Sequence, residues 1–465
     1  MAELETGTAG VRPGEAGQIG FSFRVRAIAL ILSAGLILRL SLAALPGFGI
    51  DVGLFQFWSV QLADRGPWNF YDADLFSDYA PGYLYVLWFI GGVNAIFGFG
   101  DGAFHYVLKL PAVLADLGSA YLLFRTLEGQ RPLFRFGAPA LYLISPAVLL
   151  IGPVWGQVDS ILAFFLLLTI YYFTRGRPLA GAVSFAVGFL VKPQAIAVLP
   201  LLAFWVLRDQ LLQALGSLPQ VEDRVERFLR LLRDLAARLW PFVVAPLASA
   251  YLLILPFFPG DPWRSFHRLF DQLRFAANFE NYRQTSLNAY NFWAMKVGLW
   301  KPDNATFSDI PYWMWGLILF AASTLAILYV FGRARTPGLM ALGVAASVLA
   351  FFVFSTRMHE RYLFPFFLPF LMACAILNYR LLWAAFVGLS VIHFFNLYYV
   401  YSFPQYNPNG PAVEFLFTWI QDNVFLLSLL TTLAFPLLLA TGGFLMMRSG
   451  EDRLKGVHPE GRWLR

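Results

Sequence analysis

Charge is what this sequence has least of. Of its 465 residues only 13% are Asp, Glu, Lys or Arg, against roughly 25% in soluble domains. Hydrophobic residues make up 58% and mean hydropathy is +0.61. A single cysteine, Cys374, lies inside an apolar run. It rules out an intrachain disulfide and gives no sign of a redox compartment. The five histidines form no H-E-x-x-H or similar ligand cluster, so zinc chemistry is unsupported. No Gly-rich loop ends on a Walker lysine, so nucleotide hydrolysis is unsupported as well. No gap between apolar runs is long enough for an ordinary soluble domain, and no residue-level repeat is visible.

What is there is a succession of apolar windows from about residue 26 to about residue 446, enough for roughly eleven to thirteen helical spans. The fold expected is all-α, a polytopic transmembrane helix bundle with surface amphipathic helices and an active site built from external loops. One membrane domain, 24–447, lies between a cytoplasmic tail, 1–23, and a basic cytoplasmic tail, 448–465. The N-terminus lacks a cleavable signal pattern, so the first apolar segment is expected to remain as a span. The net charge of +6 comes from Lys and Arg clustered in short loops beside spans, which orients helices and does not point to nucleic acid.

Arg24 and Arg26 precede a span at about 27–45, so the chain emerges outside. The external loops then fall at about 47–79, 258–310, 355–361 and 401–422. The first holds Asp51, Asp64, Asp72, Asp74 and Asp78 against one basic residue, Arg65, and a short amphipathic helix is expected within it. Parity then fails. Apolar runs at about 82–98, 104–124 and 136–152 separate two segments that should face the same side, so one run must be broken or re-entrant. Lys109, Pro111 and Asp116 mark 104–124 as the candidate. The stretch 179–207 is interrupted by Lys192-Pro193-Gln194, and two short helices are expected to meet there. Segment 208–238 reads as a cytoplasmic interfacial helix preceding a span at about 241–257.

Five groups of residues carry chemistry, each with a plainer alternative. Asp51, just past the first span, suits a general base or a helix N-cap. Trp155-Gly156-Gln157-Val158-Asp159 offers an aromatic face, an amide and a carboxylate for sugar hydroxyls, or simply starts a helix. Lys192 lies in apolar surroundings where an unpaired cation costs roughly 2.5–3.5 kcal/mol. Its partner is Asp116, Asp159 or a substrate phosphate, unless it snorkels to the interface. Arg357, His359, Glu360 and Arg361 form the densest charge cluster. They suit a phosphate, or a salt-bridged turn. Asn288, Tyr290, Asn291 and Trp293 fit sugar binding or an ordinary loop.

Taken together, Asp51, Trp155 to Asp159, Lys192-Pro193-Gln194, Asn288 to Trp293 and His359-Glu360-Arg361-Tyr362 resemble the GT-C superfamily of integral-membrane glycosyltransferases. The likeness extends to bacterial relatives of the second mannosyltransferase of GPI-anchor synthesis. The resemblance implies an inverting transfer of a sugar, mannose foremost, from a polyprenyl-phosphate donor to a hydroxyl on a lipid, glycan or protein. It implies Asp51 as base, Arg357, His359, Arg361 and Lys192 around the donor phosphate, and Trp155, Gln157, Asp159, Asn288, Tyr290, Asn291 and Glu360 around sugar or acceptor. No cofactor or metal is implied; the partners are the lipid-linked sugar, the acceptor and membrane lipids. The location implied is a bacterial cytoplasmic membrane with the site outside. Where that pattern carries an acid or acid pair in the first loop, Asp51 stands without an acidic neighbour, leaving the base open among Asp51 and the later loop aspartates. Two other classes remain: a secondary transporter of an anionic or sugar-linked solute, and an undecaprenyl-linked polysaccharide polymerase or ligase.

Overall fold

In a lipid environment every backbone N–H and C=O must pair within the chain, and long Leu-, Phe- and Ala-rich runs do so as helices. The computed structural model describes residues 13–72, 75–218, 224–408, 410 and 412–454. Asp74, most of the C-terminal tail and the first twelve residues of the N-terminal tail lie outside them. The structure is all-α: α1 (Pro13–Ala43), α2 (Gly49–Arg65), α3 (Pro81–Phe97), α4 (Asp101–Thr126), α5 (Pro132–Ile144), α6 (Pro146–Leu149), α7 (Asp159–Thr174), α8 (Pro178–Val191) and α9 (Leu199–Ser217) form the first half. The second holds α10 (Arg224–Ile254), α11 (Pro262–Asn278), α12 (Phe292–Val297), α13 (Tyr312–Phe331), α14 (Pro337–Phe354), α15 (Phe367–Leu377), α16 (Arg380–Tyr401), α17 (Glu414–Asp422) and α18 (Val424–Leu454). Sheet is limited, among the described residues, to two-residue strands. One of these, Ser286–Leu287, pairs in parallel with Met358–His359.

Nine described helices are long and apolar enough to cross a membrane, ten when the bent pair Pro132–Ile144 and Pro146–Trp155 counts as one span. Helices α7 and α8, of 16 and 14 residues, are apolar but shorter. The chain is an integral membrane protein. Helices α14 and α15, buried along nearly their whole length, form the middle of the large apolar core. A second core joins α2 and α3 to the ends of α8 and α10.

Parity is restored by a different element from the one expected. Helix α4 is continuous through Pro111. Its ionisable residues are satisfied sideways: Lys109 donates to the carbonyls of Ala43 and Leu45 at the end of α1, and Asp116 takes Arg39. The span that breaks is the next one, bent by 47° where Pro146 follows Ser145. The helix that fails to cross is α3. It starts beside Leu190 and Val191 and ends four residues before Asp101, whose carboxylate accepts from Gln56 of α2. Helices α2 and α3 therefore form a hairpin at one end of the bundle, closely packed because a Cβ on Gly91 would lie 1.9 Å from the Ser59 carbonyl. Only two passes separate Asp51 from Trp155, so both lie at the same end. Segment 208–238 also differs: α9 runs to Ser217, and α10 is one helix of 31 residues joining the amphipathic stretch to its span.

Candidate functional site

Three interruptions of helix converge at the end of the bundle that carries Asp51. The first is the wide π-type turn Leu150–Trp155 and the residues that follow it, closed by Gly156 at φ 95°. A side chain there would be strained by that φ and would press on Val52 at 2.8 Å. The second is Lys192, extended between α8 and the tight 3₁₀ turn Pro193–Val198. The third is the strand Met358–His359 with the turn Glu360–Phe366. Irregular backbone inside a membrane bundle is tolerated where it lines a cavity or is buried in protein. Helices α7 and α8 rise only roughly 21–24 Å, short of a hydrocarbon core of about 30 Å.

The side chains that meet there are mostly buried. Lys192 Nζ donates to Asp159 Oδ1 at 2.9 Å and to Gln157 Oε1 at 3.4 Å, and sits 5.9 Å from the ring centres of Tyr79 and Tyr362. Tyr79 donates its hydroxyl to the same Gln157 oxygen. Arg361 Nη1 donates to Glu360 Oε1 at 2.9 Å, and the negative charge of Asp51 also acts on the Arg361 guanidinium. Asp51 accepts from Trp155 Nε1 at 2.6 Å, while Trp155 stacks on Phe48 at 4.5 Å and accepts from its backbone N–H. Asp51 does not act as an N-cap: Phe48 holds that position, without a side-chain bond. Asp159 opens α7 and pairs with Lys192.

Asp78, Tyr79, Val191, Lys192, Pro193, Gln194, Arg361 and Tyr362 line a cleft of about 40 Å³. Several buried polar atoms around it have no partner among the described residues: Arg361 Nε, Asp159 Oδ2 and Gln157 Nε2. Buried polar groups are nearly always bonded, to protein, ordered water or a ligand, and atoms without a protein partner also occur away from the cleft, as at His393 and Ser428. Asp78 Oδ2 accepts from the Tyr282 hydroxyl at 3.0 Å. Burial holds the Asp78 carboxyl above its ordinary range, partly offset by the Tyr282 bond and the Arg361 charge. The ring edge of Tyr282 meets His359, whose imidazole is held well below its usual range by burial and by Arg361 and Lys192. His359 is therefore neutral at physiological pH.

The structure brings together Asp51, Trp155, Gln157, Asp159, Lys192, His359, Glu360 and Arg361. It does not bring Arg357 to the cleft. That residue, at φ 64°, donates to Asp303 at 2.6 Å, to the Ala277 carbonyl and to Asn278. Asn291 caps α12 through the N–H groups of Trp293 and Ala294. Asn288 accepts from Trp300 and from Asn396. These three brace the segment between α11 and α13, while Tyr290 is buried with its hydroxyl free of partners among the described residues. Sequence reasoning passed over Tyr79 and Tyr282, named Tyr362 only within the motif that carries the resemblance, and did not separate Asp78 from the other loop acids. The tyrosines gave little signal among 20 in the chain; Asp78 and Tyr79 were marked only by their position just before the Pro81 helix start. Among the described residues no three His, Cys, Asp or Glu side chains converge to hold a metal ion.

The chain matches no protein-family model, and no curated protein is similar enough to count as a match.

Proposed function

We propose that the protein is a membrane glycosyltransferase that moves a sugar from a polyprenyl-phosphate donor to a hydroxyl acceptor, with inversion. The observation that carries this reading is the cleft, where two cations, Lys192 and Arg361, share the wall with one carboxylate, Asp78, and with the rings of Tyr79 and Tyr362. A guanidinium with an unpartnered Nε matches a phosphate oxygen. In the transfer the acceptor oxygen bonds to the anomeric carbon as a carboxylate takes its proton. The bond from that carbon to the phosphate oxygen breaks, and Arg361 and Lys192 stabilise the charge gathering on the departing phosphate. Neutral His359 supplies a hydrogen bond; Tyr79 and Tyr362 on the cleft wall offer faces for the sugar ring.

The orientation proposed has both termini in the cytoplasm of a bacterium and the cleft outside. Supporting it, Arg125, Arg175, Arg208, Arg333 and Arg335 lie at the end of the bundle away from the cleft, where α4 meets α7 and α9 meets α13. The test is incubation of the purified chain in nanodiscs with radiolabelled polyprenyl-phosphate mannose and a membrane-lipid extract. Release of polyprenyl phosphate with labelling of an acceptor supports transfer. Failure of a whole panel of lipid-phosphate sugars to turn over or bind would end the reading and leave the transporter class in front.

A further inference from the structure

Two carboxylates of the first external loop flank the same cations, and their surroundings separate their roles. Asp51 is committed to the scaffold. Its Oδ2 holds the Trp155 indole, and that indole is stacked on Phe48, whose N–H bonds the Trp155 carbonyl. The three contacts staple the start of α2 to the wide turn before α7. Asp51 is also absent from the wall of the cleft.

Asp78 is on that wall, beside Lys192, Arg361 and Tyr362. Its backbone is pinned from two directions: Gln272 of α11 donates to the Ser77 carbonyl at 2.6 Å, and Tyr71 donates to the Tyr79 carbonyl. Its Oδ2 takes the Tyr282 hydroxyl, the one side-chain hydrogen bond to this carboxylate among the described residues. We propose that Asp78 is the group that accepts the proton of the acceptor hydroxyl, with Asp51 a positioning residue. The inference rests on the glycosyl-transfer reading.

The step balances within the substrates and this side chain. The acceptor O–H proton passes to the Asp78 carboxylate, a glycosidic C–O bond forms, and the electron pair of the broken C–O bond leaves on the polyprenyl phosphate. Burial suits Asp78 to this work, since a base whose affinity for protons is raised toward the operating pH transfers them best. The groups that set that affinity are Tyr282 by its hydrogen bond, Arg361 and Asp51 by charge, and Asp78's own backbone. Tyr71 and Tyr79, themselves held protonated by burial, add no charge. Tyr282 favours the ionised carboxylate, so it keeps the base active at lower pH than burial alone would allow.

The experiment compares wild type, Asp78→Asn, Asp51→Asn and Tyr282→Phe for sugar transfer from radiolabelled polyprenyl-phosphate mannose in nanodiscs, as a function of pH. Wild type should show a rate that falls on the acid side. Asp78→Asn should lose about 10²–10⁴-fold in rate, and Asp51→Asn far less, because an asparagine oxygen still accepts from Trp155. Tyr282→Phe should move the acid limb to higher pH, since it removes the bond that favours the carboxylate; a structural role alone would lower the rate without moving the limb. If Asp78→Asn fails to fold, the Tyr282→Phe profile decides. Transfer by Asp78→Asn at the wild-type rate, or an unmoved limb in Tyr282→Phe, overturns the assignment of Asp78 while transfer itself stands. A wild type silent on every lipid-phosphate sugar overturns the transfer reading and the assignment together.

Discussion

Arg39–Asp116 and Lys192–Asp159 are both ion pairs held inside the bundle, at 3.0 and 2.9 Å, and both cations come from apolar stretches of sequence. They are finished differently. Both Asp116 oxygens are bonded, to Arg39 Nε and to the Tyr142 hydroxyl, and Arg39 Nη1 reaches the carbonyls of Leu143 and Gly35. Neither side chain has any exposed surface. Only Arg39 Nη2 is left over. The second pair, with Arg361–Glu360 beside it, opens on a cleft and leaves an unpartnered oxygen on Asp159 and an unpartnered nitrogen on Arg361. Buried charge is thus finished in two ways in one bundle: the closed pair ties α1 to α4 and α5, and the open one forms the proposed phosphate site.

The largest effect expected from breaking this contrast is on stability. Asp116→Leu strands Arg39 without a counter-ion, and removing one partner of a buried pair costs about 3–5 kcal/mol. The double change Arg39→Met with Asp116→Leu should restore most of it, read by thermal unfolding in detergent. Equal stability of the single variant and wild type would mean that the closed pair holds nothing together.

Next comes activity. Arg361→Lys keeps a positive charge against Glu360 but loses the planar fork. Transfer should fall about 10²-fold, in line with the removal of one transition-state donor, with little change in unfolding temperature. A variant that loses stability and keeps activity would reverse the roles assigned to the two pairs. The smallest effect separates Arg357 from its neighbours in sequence. Arg357→Ala removes charged hydrogen bonds to Asp303 and the Ala277 carbonyl at a partly exposed site, where solvent screens the loss. It should speed proteolysis in 258–310 and leave lipid-phosphate binding intact. Lost binding with an unchanged loop would return Arg357 to the cleft.

The all-α bundle was legible because hydropathy alone dictates helices in lipid. The helix break at Lys192 was legible because Lys-Pro in an apolar run places a charge where it needs a partner and removes a helix N–H in the next residue. Lys109, Pro111 and Asp116 misled for a related reason. Their one-dimensional signature is that of a broken span, and only the carbonyls at the end of α1 and Arg39, 77 residues away from Asp116, show how a straight helix accommodates them. Arg357 and Arg361 look equivalent in sequence, four residues apart. The left-handed backbone at Arg357 turns the first toward Asp303 and Asn278, while the 3₁₀ turn carries the second to the cleft beside Lys192. Asp78 and Tyr282 lie 204 residues apart, and no local pattern links them.

The most direct test of the contrast is thermal unfolding of wild type, Asp116→Asn and Lys192→Met with and without polyprenyl phosphate. Ligand bound only by the folded state raises the unfolding temperature by mass action. The expected result is a shift in wild type and in Asp116→Asn, however low the latter starts, and none in Lys192→Met. The same shift in all three proteins, or no shift in wild type, would contradict the reading of the open pair as a phosphate site.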